Sequence, residues 1–351
     1  MMKFLVISNK RMCQGIYLKL KRHRLTKGPI IRNDDKLLIP LNNSVDLITI
    51  RRLFPECEEL RIEEKDYLIP ERPRSFKDLL KNVLGSDELK RIPSSFDIIG
   101  DIAIIEIPED LMNRAEEIGK AIMRIHTRVK TVYAKAGRVT GEYRTRKLTL
   151  IAGEPKATTI HSEYGLRFKV DVLNTYFSPR LAYEHRRVAE EVRDGEIVVD
   201  MFTGVGPFAI HIASLRRCLV YAVDLNPAAY RLLIENIKLN KRNLKGEIIP
   251  VNADVRLLAK YIRNIANRVI MNLPEYSHEF VGTALTLLRK EGGVIHYYTF
   301  EDEPEELEKA VRKLRCLVEA QGRRILKVLK VRRVKSIAPH RWHIVVDALV
   351  S

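Results

Sequence analysis

The apolar run Arg268-Val269-Ile270-Met271 stops abruptly at Asn272-Leu273-Pro274. Pro274 has no N–H to give a sheet ladder, so a buried strand must end there. That leaves the Asn272 side chain at the strand's carboxyl end, where open α/β sheets place their ligands. An amide at that place can donate to and accept from the edge of a planar base, with Leu273 and Pro274 as an apolar wall. Its competing use is to cap a helix starting near Glu275. A carboxylate stands earlier, in "NTYFSPRLAYEHRRVAEEV" (174–192). Leu181, Glu184, Val188 and Val192 fall on one helical face, so Glu184 is expected half-buried beside an apolar stripe, a setting that tunes a carboxylate into a general base. The alternative is a solvated Glu184 paired with Arg180 or Arg187. Tyr176 and Phe177 are candidates to stack on an extruded base; core packing is the other reading, and the better one for Phe177.

A second group has the types to hold an adenosine with a cationic centre. In "DMFTGVGPFAI" Asp200 closes a strand, and Gly204 and Gly206 make a tight loop with Ala209 where the dinucleotide fingerprint has its third glycine. That pattern alone fits NAD, FAD or S-adenosylmethionine. The next strand ends "AVDLNP", placing Asp224 where a carboxylate takes ribose hydroxyls; a third ends "VNAD", placing Asp254 near an adenine edge. Asp200 would repel a pyrophosphate but suits a sulfonium and an ammonium, and Pro207 removes an N–H that a phosphate would use. S-adenosylmethionine is therefore the expected cofactor. Helix capping by Asp224 and Asp254 is the competing account.

These residues need a particular scaffold. Strands are expected at "EIVVDMF", "LVYAVDL", "GEIIPVNAD", "NRVIMNL" and "GGVIHYYTF", with helices between them, then a long helix "PEELEKAVRKLRCLVEA" and two final strands, "RILKVLKVRRV" and "WHIVVDAL". Such alternation makes a parallel sheet covered on both faces. The fold class is thus α/β, a Rossmann-like seven-stranded class I methyltransferase domain over residues 171–351, preceded by two smaller α+β domains. The first spans 1–66, with strands "KFLVIS" and "KLLIPL" and helix "VDLITIRRLF". A linker is expected over 67–76 and an α+β RNA-binding domain over 77–170, where "TVYAKA", "KLTLIAG" and "LRFKVDV" read as strands of one mixed sheet.

The formal net charge of +17 and the pI near 9.7 favour a polyanionic partner. Basic clusters such as "LKLKRHRLTKG" (18–28) and "KVLKVRRVK" (327–335) point to nucleic acid. The sparse Gln usage beside heavy Lys, Arg and Glu resembles thermophile composition. No membrane span or signal peptide is expected, so the setting read from the sequence is cytoplasmic, with no obligate protein partner and a monomeric state. Cys13, Cys57, Cys218 and Cys316 lie far apart and read as buried thiols, with no metal site.

The co-occurrence of "YFSPRLAYE", "DMFTGVGPFAI", "DLNPAAYRLLIENIKLN" and "NLP", together with "SFDIIGDIAIIEIP" and "GEYRTRKLTLIAGE", resembles the archaeal and eukaryotic tRNA (guanine-37-N1)-methyltransferases. The resemblance implies methyl transfer from S-adenosylmethionine to guanine N1, with Glu184 at the general-base position. It also implies Arg144 as the group that stabilises charge growing on guanine O6, Arg146 being the competing candidate, and Asn272 as the group that holds the guanine edge. The cofactor set is Asp200, Phe202, Gly204, Gly206, Pro207, Phe208, Asp224, Leu225, Asp254 and Asn272. The tRNA set is Tyr176, Pro179, Arg180, His185, Arg186, Pro274 and Arg146. Where the family commonly has Arg after the catalytic Glu, this chain has His185, so either His185 or Arg186 makes the corresponding RNA contact. The first domain is implied to check overall tRNA shape. Rival readings are a wyosine-pathway enzyme on the same nucleotide, by methylation of the tricyclic base or by aminocarboxypropyl transfer, and a non-catalytic tRNA-binding protein.

Overall fold

The computed structural model describes residues 2–8, 10–33, 36–57, 59–65, 73–135 and 147–351. Arg144 and Arg146 lie outside the described residues. The chain forms two compact units, Met1–Pro73 and Arg74–Ser351.

In the first unit the elements run β1 (Met2–Ile7), α1 (Lys10–Arg22), β2 (Ile31–Asn33), β3 (Lys36–Pro40), α2 (Leu47–Leu53) and β4 (Arg61–Lys65). The strands pair antiparallel in the order β2-β3-β1-β4. Helix α1 absorbs part of the basic run seen in the sequence. Cys13, Ile16 and Leu20 form its buried stripe, one residue per turn, leaving Lys19, Lys21 and Arg22 outside.

The second unit opens with α3 (Phe76–Leu80) and α4 (Ser86–Arg91). A reciprocal Ser75–Asp78 capping box starts α3. Then come β5 (Asp97–Ile99), β6 (Ile102–Glu106), α5 (Ala115–Ile125), β7 (Thr131–Lys135) and β8 (Leu148–Gly153), a four-stranded sheet in that order with β6 parallel to β7. The expectation that "LRFKVDV" joins this sheet is corrected. It forms β10 (Leu166–Asp171), which pairs with β9 (Thr158–Glu163) as a separate hairpin. Asn236 and Asn240 clamp that hairpin by accepting from and donating to the backbone of Lys169 and Arg167, an alternative to sheet pairing that satisfies the edge of β10.

The large sheet follows: α6 (Ala182–Glu191), β11 (Ile197–Asp200), α7 (Pro207–Leu215), β12 (Leu219–Asp224), α8 (Pro227–Leu239), β13 (Glu247–Asn252), α9 (Val255–Tyr261), β14 (Arg268–Met271), α10 (Val281–Leu287), β15 (Gly293–Asp302), α11 (Glu306–Glu319), β16 (Ile325–Ala338) and β17 (Arg341–Val350). Its order is β13-β12-β11-β14-β15-β17-β16. The first five are parallel, and β17 runs antiparallel between β15 and β16. One face packs Val198, Val220, Ile270 and Tyr298 against α6 to α8; the other packs Val199, Val269, Met271 and Tyr297 against α9 to α11. Fully buried parallel strands need apolar residues on both faces, which explains their near-continuous hydrophobic runs. The strand order reverses at β11 and β14, so the tips of these two strands flank the crevice where such sheets bind ligands. The cysteines are free; Cys13 and Cys218 are buried, whereas Cys316 is exposed, against expectation.

Candidate active site

Beyond β11 the chain turns through a loop that only glycine accommodates at two points. Gly204 (φ +57) and Gly206 (φ +94) adopt left-handed backbone, and a Cβ on Gly206 would lie 2.4 Å from Leu233 Cδ1. Pro207 occupies the first turn of α7. The Gly204 N–H donates to Asp224 Oδ2 (2.7 Å) and the Asn226 N–H to Asp224 Oδ1 (2.9 Å). Capping of α8 falls to Asn226, which accepts from the Ala228 N–H. Asp224 therefore serves the glycine loop, and burial pushes its pKa up.

Asp200 is completely buried, and the Thr203 side chain and the Phe202 backbone approach its carboxylate without a full hydrogen bond to either oxygen. Burial pushes its pKa up to about 7; Thr203 and Phe202 pull it the other way, and the Asp224 charge adds to the rise. A buried carboxylate so weakly satisfied, beside a glycine loop and a second carboxylate, fits a ligand that brings positive charge. S-adenosylmethionine, with its sulfonium and ammonium, meets that requirement.

The other cofactor candidates have partners or positions of their own. Asp254 caps α9 by accepting from the Arg256 N–H (2.8 Å) and is forked by the Arg256 side chain, which holds its pKa below the usual carboxylate value. Phe208 is buried against His185 (ring centroids 4.7 Å apart) and Tyr298 (6.0 Å), so its side chain belongs to the core. Phe202 packs edge-on against Phe280, and Leu225 stays exposed at the rim of the loop.

The "NTYFSP" segment crosses beside this cradle. Asn226 Nδ2 donates to the Asn174 carbonyl (2.8 Å), and the Tyr176 carbonyl lies 3.6 Å from where a Cβ on Gly204 would sit. The short turn Pro179–Leu181 then leads into α6.

Glu184 is 1 % exposed, not half-buried. Its Oε1 accepts from Arg187 Nη2 (2.6 Å) and the Tyr298 hydroxyl (2.7 Å). Its Oε2 accepts from Arg187 Nε (3.0 Å) and Arg332 Nη1 (2.5 Å). Arg187 also donates to Asp347 and Glu191, and His296 Nδ1 lies 2.6 Å from Asp347 Oδ1. Burial would raise the Asp347 pKa, but His296 and Arg187 hold it at about 2. The setting of Glu184 is thus ionic rather than apolar. The pairing with Arg187 weighed in the sequence is present; Arg180 instead bonds Asp97 (2.6 Å).

The last register pair of β14 with β15 is Met271 with Tyr297; Asn272 follows the end of β14, and Tyr298 follows Tyr297 on β15. Ser277 Oγ donates to the carbonyls of Met271 and Leu273 and holds the Asn272–Pro274 turn. Asn272 and Pro274 are partly exposed, and Asn272 caps none of the described helices.

A cavity of about 140 Å³ is lined by Tyr176, Phe177, Arg180, Lys335, Lys135 and Leu148, among others; the last two flank the span containing Arg144 and Arg146. Phe177 also packs on the core, as expected. His185 cannot contact RNA as placed: it is 2 % exposed, and its Nδ1 lies 2.9 Å from Glu163 Oε2, which also meets His211 Nε2. Arg186 is the partly exposed neighbour, paired with Glu190 and lying over the Tyr164 ring.

A family model described as the TRM5/TYW2 methyltransferase domain matches residues 159–326, and one described as the TYW2 N-terminal domain matches 76–156. The chain is 46% identical to the tRNA (guanine(37)-N(1))-methyltransferase Trm5b of Pyrococcus abyssi over 340 residues, 93% of this chain and 97% of the relative. It is 38% identical to the tRNA(Phe) (4-demethylwyosine(37)-C(7)) aminocarboxypropyltransferase of Methanocaldococcus jannaschii over 253 residues, 71% of this chain and 95% of that one. A solved complex of aTrm5 with tRNALeu superposes with a TM-score of 0.75 at 34% identity, covering 99% of both chains.

Proposed function

Because the chain belongs to the TRM5/TYW2 methyltransferase family, we propose that it transfers a methyl group from S-adenosylmethionine to N1 of guanosine 37 in tRNA. The observation that carries this reading is the similarity to Trm5b along nearly the whole chain, whereas the aminocarboxypropyl relative leaves out a stretch longer than the first unit. S-adenosylmethionine supplies a methyl carbon activated on a sulfonium.

The residues of the chain do the rest. Asp200 and Asp224 hold the cationic and ribose ends of the cofactor. Asn272 reads the guanine edge, and Tyr176 packs beside the base. Glu184 removes the N1 proton, which turns a poor nucleophile into a competent one. Arg144, by the resemblance, stabilises negative charge on O6. Fixing donor and acceptor in line contributes much of the acceleration. The charge of +17 suits a tRNA partner bound through its phosphates. Residues 1–66 serve as the shape-recognising part, and 77–170 as a further RNA-binding part. A tRNA substrate implies a cytoplasmic setting; no described helix is long and apolar enough to cross a membrane.

Action on the tricyclic wyosine base is the second reading, favoured by the TYW2-type match over 76–156. Incubating a tRNA transcript bearing guanosine 37 with S-adenosylmethionine, and weighing the product nucleoside, separates the two. 1-Methylguanosine supports the proposal. An unchanged guanosine, with product formed only on the tricyclic base, would overturn it.

A further inference from the structure

Glu184 is over-subscribed for a base. Four donors occupy its two oxygens, which fills the four lone-pair sites of a carboxylate. To take the guanine N1 proton, one donor must leave. Arg187 and Tyr298 are poor candidates. Arg187 is 5 % exposed and pinned by Asp347 and Glu191, and Tyr298 is fully buried. Arg332 differs from both. It lies on β16, the outermost strand of the sheet, its side chain is 26 % exposed, and its guanidinium sits over the exposed Tyr183 ring. It also belongs to a strand whose Lys327, Lys330, Arg333 and Lys335 make the sheet edge basic.

We propose that Arg332 is a positioning residue that caps Glu184 in the free protein and leaves it for a backbone phosphate of the bound RNA. A guanidinium matches a phosphate in a planar fork, and β16 presents Arg332 at the sheet edge, where the RNA backbone can reach it. Its departure frees a lone pair on Oε2. That oxygen takes the N1 proton, the N1 electron pair forms the bond to the methyl carbon, and the C–S bond breaks with its electrons returning to sulfur. The base is thereby exposed only when substrate is seated. This inference rests on the functional reading above.

The test is RNA affinity as a function of salt, measured on the full chain with S-adenosylhomocysteine present, alongside single-turnover methylation. Arg332→Ala is expected to flatten the log–log salt slope by about 0.7, the share of one phosphate contact on a single strand, and to raise KM. The single-turnover rate at saturating RNA should stay within about threefold, because the base is already uncapped. Arg332→Lys should restore most of the slope. An unchanged slope in Arg332→Ala, whatever happens to the rate, overturns the proposal. The binding arm needs no turnover, so failure of the functional reading shows separately, as wild-type protein that does not methylate guanosine 37.

Discussion

The Tyr298 phenol donates to Glu184 Oε1 at 2.7 Å, joining residues 114 apart in sequence. Burial and the adjacent Glu184 charge push the phenol's pKa well up, so it remains a donor. Tyr298→Phe keeps the ring and removes the hydrogen bond. The expected cost in stability is about 1–3 kcal/mol, that of a buried acceptor losing a partner. Single-turnover methylation should slow by about tenfold, with S-adenosylmethionine and tRNA affinities nearly unchanged. A normal rate would mean that Tyr298 does not orient the base.

Asp224 accepts from the Gly204 N–H and is the carboxylate assigned to the ribose. Asp224→Ala should weaken S-adenosylmethionine binding by about 10- to 100-fold, the range for a charged hydrogen bond worth about 1.5–3 kcal/mol. Calorimetry reads this directly. Transfer RNA affinity should not change, and unaltered cofactor affinity would put the ribose elsewhere.

Asp200 gives a pH dependence. Its folded pKa is about 7, above the ordinary carboxylate value near 4. Between those values the folded chain holds a proton that the unfolded chain has lost, so this group makes stability fall as pH rises through that window. A cationic ligand needs the ionised form, so S-adenosylmethionine affinity should rise between about pH 6 and pH 7.5 as the proton is released. Asp200→Asn should bind weakly and lose that trend. A flat wild-type profile would show that Asp200 does not face the cationic end.

The strand ends were legible because their residue types are extreme. Asp200, Asp224 and Pro274 punctuate apolar runs, and the parallel sheet places such ends together. The surroundings of Glu184 were not legible, because Tyr298, Arg332 and Asp347 come from strands far along the chain. Helical periodicity gave the face of Glu184 correctly but could not reveal that a charged network covers it. His185 misled for the same reason: a His among arginines reads as surface, yet its partner is the buried Glu163, 22 residues earlier on β9. Asp254 could be read either as a cap or as a ligand, and the capping contact is present, accepted from the Arg256 N–H two residues on.

Asp347 is fully buried, with its pKa held at about 2. A depressed pKa contributes stability above the unfolded value near 4 that is lost as pH falls toward 2. Asp347→Asn removes that contribution and leaves the Arg187 charge short of a buried partner. The expected destabilisation is about 3–5 kcal/mol, read by denaturant melts at neutral pH. The gap from wild type should shrink as pH drops toward 2. A gap independent of pH would contradict the ion-pair origin.

The most direct measurement is single-turnover methylation of a guanosine-37 transcript by Glu184→Gln, with cofactor and tRNA affinities taken on the same protein. Glutamine keeps the shape but cannot accept the N1 proton. The expected result is a rate lower by about 100- to 10,000-fold, with both affinities close to wild type. A wild-type rate in that variant would contradict the assignment of Glu184 as the base.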